Sequence, residues 1–223
     1  MAAQDEHELF DLCSEDGAPL GRQKERALVH RDGDWHRSLH IWVVIRGEDG
    51  APHMLLQRRS AEKDTWPRAL DVAVAGHYRA GEALEQGLRE AEEEIGLALT
   101  MDDVVRIGLR RRAERRPGIE DNELQDIFVA RTDRRLVDLA PFEDEVEALI
   151  ALPIEEAAKL LKGEAAEARG VELEARRAGD RAPRPVIARA QDLIPSNDGY
   201  YAKAMGSIWD LLEGRAPAPW TLG

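Results

Sequence analysis

The stretch GHYRAGEALEQGLREAEEEIGL, residues 76–97, decides how the chain is read. From Glu82 to Glu94 its pattern is helical. Leu84, Leu88, Ala91 and Ile95 recur at i, i+4, i+7 and i+11 and build one apolar stripe. Glu90, Glu93 and Glu94 stand at i, i+3 and i+4, so they share a face, read as the one opposite the stripe. Gly96 is placed to end the helix as a C′ residue. Gly87, inside the helix, costs about 1 kcal/mol relative to alanine, and nothing local accounts for it. Carboxylates crowded on one face repel unless something offsets their charge. They form either a solvated acidic surface or the ligands of a divalent cation. Mg2+ takes oxygen ligands and keeps waters and substrate phosphates for its remaining positions. The strand and loop over residues 74–81 and Arg89, directly before Glu90, favour the cation.

The flanking segments supply a sheet. CSEDGAPLG (13–21) and RGEDGAPHMLLQ (46–57) each set Asp-Gly between apolar runs, the mark of a tight hairpin turn. The first predicts an N-terminal hairpin over about 8–29. The second joins LHIWVVI (39–45) to HMLLQRR (53–59), two strands of a main sheet. DVAVAG (71–76) reads as a third strand. Residues 102–114 and 123–132 read as two more, split by the Pro117-Gly118 loop. VEALIALP (146–153) reads as a strand followed by a helix to about Lys162, with Pro153 well placed at the helix start. From about Gly163 the chain turns charged and Ala/Arg-rich and is a poor core former, read as a ragged helix or an exposed hairpin. Residues 197–214 read as an amphipathic helix and 215–223 as a tail. The organisation is thus a hairpin extension over 1–30, a main domain over 31–162 and a helical appendage over 163–223.

Bulk composition narrows the function. The 223 residues carry 43% hydrophobic side chains, enough for one large core. A formal net charge of −13 argues against general affinity for nucleic acid or anionic membrane, so a phosphate-bearing ligand must be met by local arginines or metal. One cysteine, Cys13, suits a reducing cytosol, and a cytoplasmic location is expected. The acidic start MAAQDEHELFDL has no apolar signal-peptide core, and no apolar run is long enough to span a membrane.

The box over residues 76–97 resembles the signature of the Nudix hydrolases. The matching residues are Gly76, Glu82, Arg89, Glu90, Ala91, Glu93, Glu94, Gly96 and Leu97. REAEEEIGL matches at every defined position. The first half is one residue shorter than the family pattern between Glu82 and Arg89. The shortening falls at the loop-to-helix junction, so it bears on Glu82's usual bracing of the loop and not on the metal helix. The resemblance implies an α/β fold, an α/β/α sandwich on a mixed sheet, and hydrolysis of a diphosphate linkage with Mg2+ or Mn2+. It implies metal held by Glu90, Glu93, Glu94 and the Gly76 carbonyl, with Arg89 orienting the glutamates. Either Glu93 or Glu123 is then the general base.

The resemblance runs beyond the box, over about residues 8–162. LLQRRSAEKDTWPRALDVAVAGH (55–77) is similar to the isopentenyl-diphosphate isomerases, which share the Nudix fold. Those enzymes carry a catalytic cysteine where this chain has Ala75, and they lose most box carboxylates that this chain keeps. Hydrolysis is therefore favoured over isomerisation. The isomerase metal site uses histidines and two carboxylates. His30, His36 and His77, with Asp121 and Glu123, fall near those positions. They read either as transition-metal ligands or as a structural lead-in to the sheet.

In the isomerases the equivalents of Arg59 and Lys63 grip diphosphate, and Arg58 is carried with them as a candidate substrate contact. An arginine fork suits phosphate oxygens. The expected partner is a small-molecule diphosphate, by default a nucleoside di- or triphosphate, with a homodimer left open. A non-catalytic binding module of the same fold is the competing class, disfavoured by the intact carboxylates.

Overall fold

A computed structural model describes residues 7–63, 65–175 and 182–223. The chain's first six residues, and residues 176–181 of the Ala/Arg-rich stretch, lie outside the described residues.

Strand β3 (Trp35–Arg46) is the spine of the sheet. It pairs antiparallel with β4 (Pro52–Arg59) and parallel with β8 (Ile119–Arg131). Outward from β8 come β7 (Val104–Arg116) and then β12 (Trp220–Leu222). Outward from β4 come β9 (Val146–Pro153), β10 (Glu167–Glu174) and β11 (Arg184–Arg189). Both hairpin turns read from Asp-Gly are present, with Gly17 at φ 89° and Gly50 at φ 79°, the conformation glycine adopts without a Cβ penalty. Among the described residues no helix is long and apolar enough to cross a membrane.

Side chains alternate faces along a strand, and β3 uses both. Leu39, Ile41, Val43 and Ile45 pack with Leu88, Ala91 and Ile95 of the box on one face. Trp42 and Val44 pack on the other with α4 (Ile154–Leu161) and α5 (Tyr200–Leu212). Each fully buried leucine or isoleucine in these layers contributes about 1.5–3 kcal/mol. The result is the expected α/β/α sandwich on a mixed sheet.

Several elements differ from the sequence reading. The N-terminal hairpin is β1 (Leu9–Cys13) and β2 (Pro19–Glu25), and residues 26–32 form α1 (Arg26–Asp32) rather than continuing the strand. The DVAVAG strand is two strands, because the chain changes neighbours at Ala73. β5 (Leu70–Val72) pairs with β4, and β6 (Val74–His77) pairs with β3. The single helix over 82–94 is two pieces, α2 (Leu84–Gly87) and α3 (Arg89–Ile95). Gly87 now has a reason: a Cβ there would lie 2.4 Å from the Tyr78 ring.

The poor core former after Gly163 is a hairpin, and β10 extends the sheet from β9 with Val171 opposite Ala151. The tail is ordered too. Trp220 lies against Gly108, where a Cβ would come within 2.5 Å of the indole, and its Nε1 donates to Ser207 Oγ at 3.1 Å.

A candidate metal and diphosphate site

Gly76, Glu90, Glu93 and Glu94 line a cavity of about 1320 Å3 together with Arg59, Lys63, His30, His77, Asp121 and Glu123. Helix α3 delivers the glutamates, and β6 brings Gly76 against them. The acidic face is not uniformly exposed. Glu94 is 2% exposed, whereas the Glu93 side chain is 45% exposed. The reason is that α3 is wedged between the sheet and the cavity, so its turns bury carboxylate as well as hydrocarbon.

Glu94 accepts hydrogen bonds from Gln57 Nε2 at 2.9 Å and from the Ala75 amide at 3.2 Å. Burial raises its pKa to about 8; Lys63 opposes this rise and Glu90 adds to it. Burial likewise raises Glu90 to about 7, against the pull of Arg89. Two buried carboxyls with elevated pKa values facing one cavity are a site that a divalent cation would relieve. Hard oxygen donors of this kind match Mg2+ or Mn2+.

Arg89 organises the loop and helix. It donates to Glu82 at 2.7 Å, Glu90 at 2.7 Å, Glu93 at 2.7 Å and the His77 carbonyl at 3.1 Å. Glu82 also accepts the Arg79 amide at 2.8 Å. Glu82 thus ties the loop to the helix despite the missing residue.

Arg59 reaches the cavity, where it donates to Asp71 at 3.3 Å, and Lys63 is paired with Glu145. Arg58 does not. It lies 3.8 Å from Glu172 in a separate depression with Glu147 and Asp192. Adjacent residues on a strand point to opposite faces, so β4 can send only one of the two arginines to the site.

The histidines come together. Rings of His30, His36 and His77 lie 5.2–5.8 Å apart, with Phe10 of β1 stacked on His36 and His77. His36 Nδ1 lies 3.1 Å from the Asp34 carbonyl, which can only accept, so its proton sits on Nδ1 and Nε2 carries a bare lone pair. That Nε2, the Nε2 of His30 and Asp121 Oδ1 are buried without a hydrogen-bond partner. The Asp121 oxygen is 3.8 Å from each of the two nitrogens. Buried orphaned donor atoms of this type, with Nδ1 anchored on a carbonyl, are the pattern of an imidazole–carboxylate metal set.

His77 Nε2 contacts Glu123 at 2.9 Å, and its Nδ1 faces Arg26 at 3.1 Å. Because arginine only donates, His77 Nδ1 accepts and Nε2–H donates to Glu123. Burial pushes His77 down to about 3 and His30 down to about 2, so both are neutral at pH 7. Asp121 is raised to about 8, by burial and then by the charge of Glu123.

Reading the sequence missed Gln57, Asp71 and Glu145, which tether the glutamate, arginine and lysine of the site. Each comes from a different strand or loop outside the box, and no local spacing marks them.

A model of the NUDIX domain matches residues 36–173. The chain belongs to the Nudix family. An uncharacterized Nudix hydrolase of Clostridium acetobutylicum is 30% identical over 205 residues, spanning 92% of this chain and 98% of the relative. Nudix hydrolase 3 of Arabidopsis thaliana is 34% identical over 163 residues, and this Nudix chain spans only 21% of its length. An isopentenyl-diphosphate Delta-isomerase of Leifsonia xyli is 33% identical over 143 residues, covering 60% of this chain and 71% of the relative. Nudix hydrolases act on pyrophosphate-containing compounds.

Proposed function

We propose that the protein hydrolyses a diphosphate linkage in a small molecule, by default a nucleoside di- or triphosphate. The observation that carries this reading is the pair Glu94, buried, and Glu90, its side chain only 14% exposed, both facing the cavity that also receives Lys63 and Arg59. Glu90, Glu94 and the Gly76 carbonyl would hold Mg2+ or Mn2+, which when bound supplies charge neutralisation and a more acidic water.

The chain's own residues do the rest. Lys63 and Arg59 meet phosphate oxygens, in exchange for part of their contact with Glu145 and Asp71. Arg89 holds Glu90 and Glu93 in register. Glu93, at the solvent-facing rim, is the carboxylate with access to water and takes its proton. Glu123 has both oxygens engaged, one by His77 and the other by Gln125 at 2.6 Å, and belongs with the histidine set.

That set is read as a second, softer metal site: His30, His36 and Asp121 offer unpartnered ligand atoms, and His77 and Glu123 would join by giving up their contact with each other. It is the feature shared with the isomerases. Ala75 lines the cavity where those enzymes are expected to carry a thiol, so proton delivery from sulfur has no donor here. The test is release of phosphate or pyrophosphate from nucleoside and isoprenoid diphosphates with Mg2+, with double-bond migration of isopentenyl diphosphate followed by NMR. Hydrolysis without migration supports the reading. Migration without hydrolysis overturns it.

A further inference from the structure

The C-terminal helix reaches the cavity by one buried chain of hydrogen bonds. Tyr200, the first residue of α5, is 1% exposed. Its hydroxyl lies 2.9 Å from His40 Nδ1 and 3.0 Å from Trp42 Nε1. His40 Nε2 lies 3.3 Å from Gln125 Nε2, and that amide nitrogen lies 2.6 Å from Glu123 Oε2. Arg110 closes the loop. It donates to Gln125 Oε1 at 3.2 Å and to Asp198 at 2.7 Å, and its guanidinium sits 4.2 Å from the Tyr200 ring centre.

The direction of every bond follows from donor chemistry. Arg110 can only donate, so the Gln125 oxygen faces it and the Gln125 NH2 faces Glu123 and His40. His40 Nε2 must then accept, which leaves the ring proton on Nδ1, donated to Tyr200 Oη. Burial lowers the His40 pKa to about 4, which keeps the ring neutral and lets it act as donor at one end and acceptor at the other. Without the tyrosine oxygen, the His40 Nδ1–H loses its acceptor, and the tautomer is held only by the 3.3 Å contact of Nε2 with the Gln125 amide. With the proton on Nε2, it would oppose the Gln125 NH2. The amide would have to turn, and Glu123 would lose its donor.

We propose that Tyr200 is a positioning residue for Glu123, acting through the His40 tautomer and the Gln125 amide to orient the carboxylate beside His36 and His77. This rests on the reading of Glu123 as part of the histidine-containing metal set. It also assigns the C-terminal helix a part in the site that its packing alone does not require.

The experiment needs the full chain and two readouts. In the wild-type protein, 15N NMR of the histidine rings should show His40 protonated on Nδ1 and bare on Nε2; the opposite tautomer overturns the proposal without any variant. Co2+ is the metal probe, read by its visible absorption. Tyr200→Phe keeps the ring and removes only the hydroxyl. It should move the His40 signals toward the other tautomer and weaken Co2+ binding at the histidines by about 10- to 100-fold, the usual effect of losing an outer hydrogen-bond partner. Mg2+ affinity at the glutamates should hold. Wild-type ring signals with wild-type Co2+ affinity overturn the proposal. Gln125→Leu should weaken Co2+ similarly, and the double variant should lose less than the sum of the singles, since both act through one chain; additivity contradicts it. If wild-type protein takes no Co2+ at the histidines, the metal reading falls, and the His40 tautomer still decides whether the relay exists.

Discussion

Gly76 and Glu90 touch so closely that a Cβ added to the glycine would lie 2.3 Å from the Glu90 carboxyl carbon. The glycine is there for space rather than for backbone freedom. Gly76→Ala should therefore push Glu90 out of its place in the cavity while leaving the sheet paired. We expect Mg2+ affinity to fall by about 10- to 100-fold, measured by calorimetry, with circular dichroism unchanged.

Proton competition sets the pH dependence. Glu94 at about 8 and Glu90 at about 7 sit above the ordinary carboxyl value of 4.5. A group whose pKa rises on folding adds stability below its unfolded value and loses that contribution as pH climbs through the folded value. The metal-free protein should therefore melt at lower temperature at pH 9 than at pH 6. A cation must displace those protons, so Mg2+ affinity should tighten by up to about tenfold per pH unit for each proton released over the same range. Thermal melts with and without Mg2+ at each pH check both. A rise in Tm that is larger at pH 6 than at pH 8 would contradict the assignment.

Arg89 bridges Glu82, Glu90 and Glu93 with a planar fork. Lysine keeps the charge and loses the fork. Arg89→Lys should cost about 1–3 kcal/mol in stability by denaturant unfolding, and it should lower turnover more than it raises KM, because the glutamates lose their alignment rather than the substrate its contacts.

The two metal sites should be separable. His36→Ala removes the orphaned Nε2 and should abolish the visible absorption of bound Co2+, leaving Mg2+ binding intact. Glu94→Gln should do the reverse. If either substitution removes both, the sites are one.

Much of this was legible in the sequence because it is local. The apolar stripe Leu84, Leu88, Ala91 and Ile95 packs as its spacing requires, and Gly96 ends α3 with φ 70°. What the sequence hides is set by distant neighbours. Tyr78 crowds Gly87 just before the break at Leu88, and no helical pattern can announce that contact. How deeply each glutamate of the acidic face is buried was hidden, because periodicity reports which residues share a face and not what lies opposite. Arg58 shows a lesson that was available: β4 alternation lets only one of two neighbouring arginines enter the cavity. The strand at Trp220 depends on a glycine 112 positions earlier, Gly108, and carries no local mark.

The most direct measurement is a crystal structure with Mn2+ and a non-cleavable nucleoside diphosphate analogue, in which anomalous scattering locates the ion. The account requires a Mn2+ peak in direct contact with the Glu90 and Glu94 carboxylates, with analogue phosphates reaching toward Lys63 and Arg59. An α3 surface without metal while the analogue and its ion sit elsewhere would contradict it.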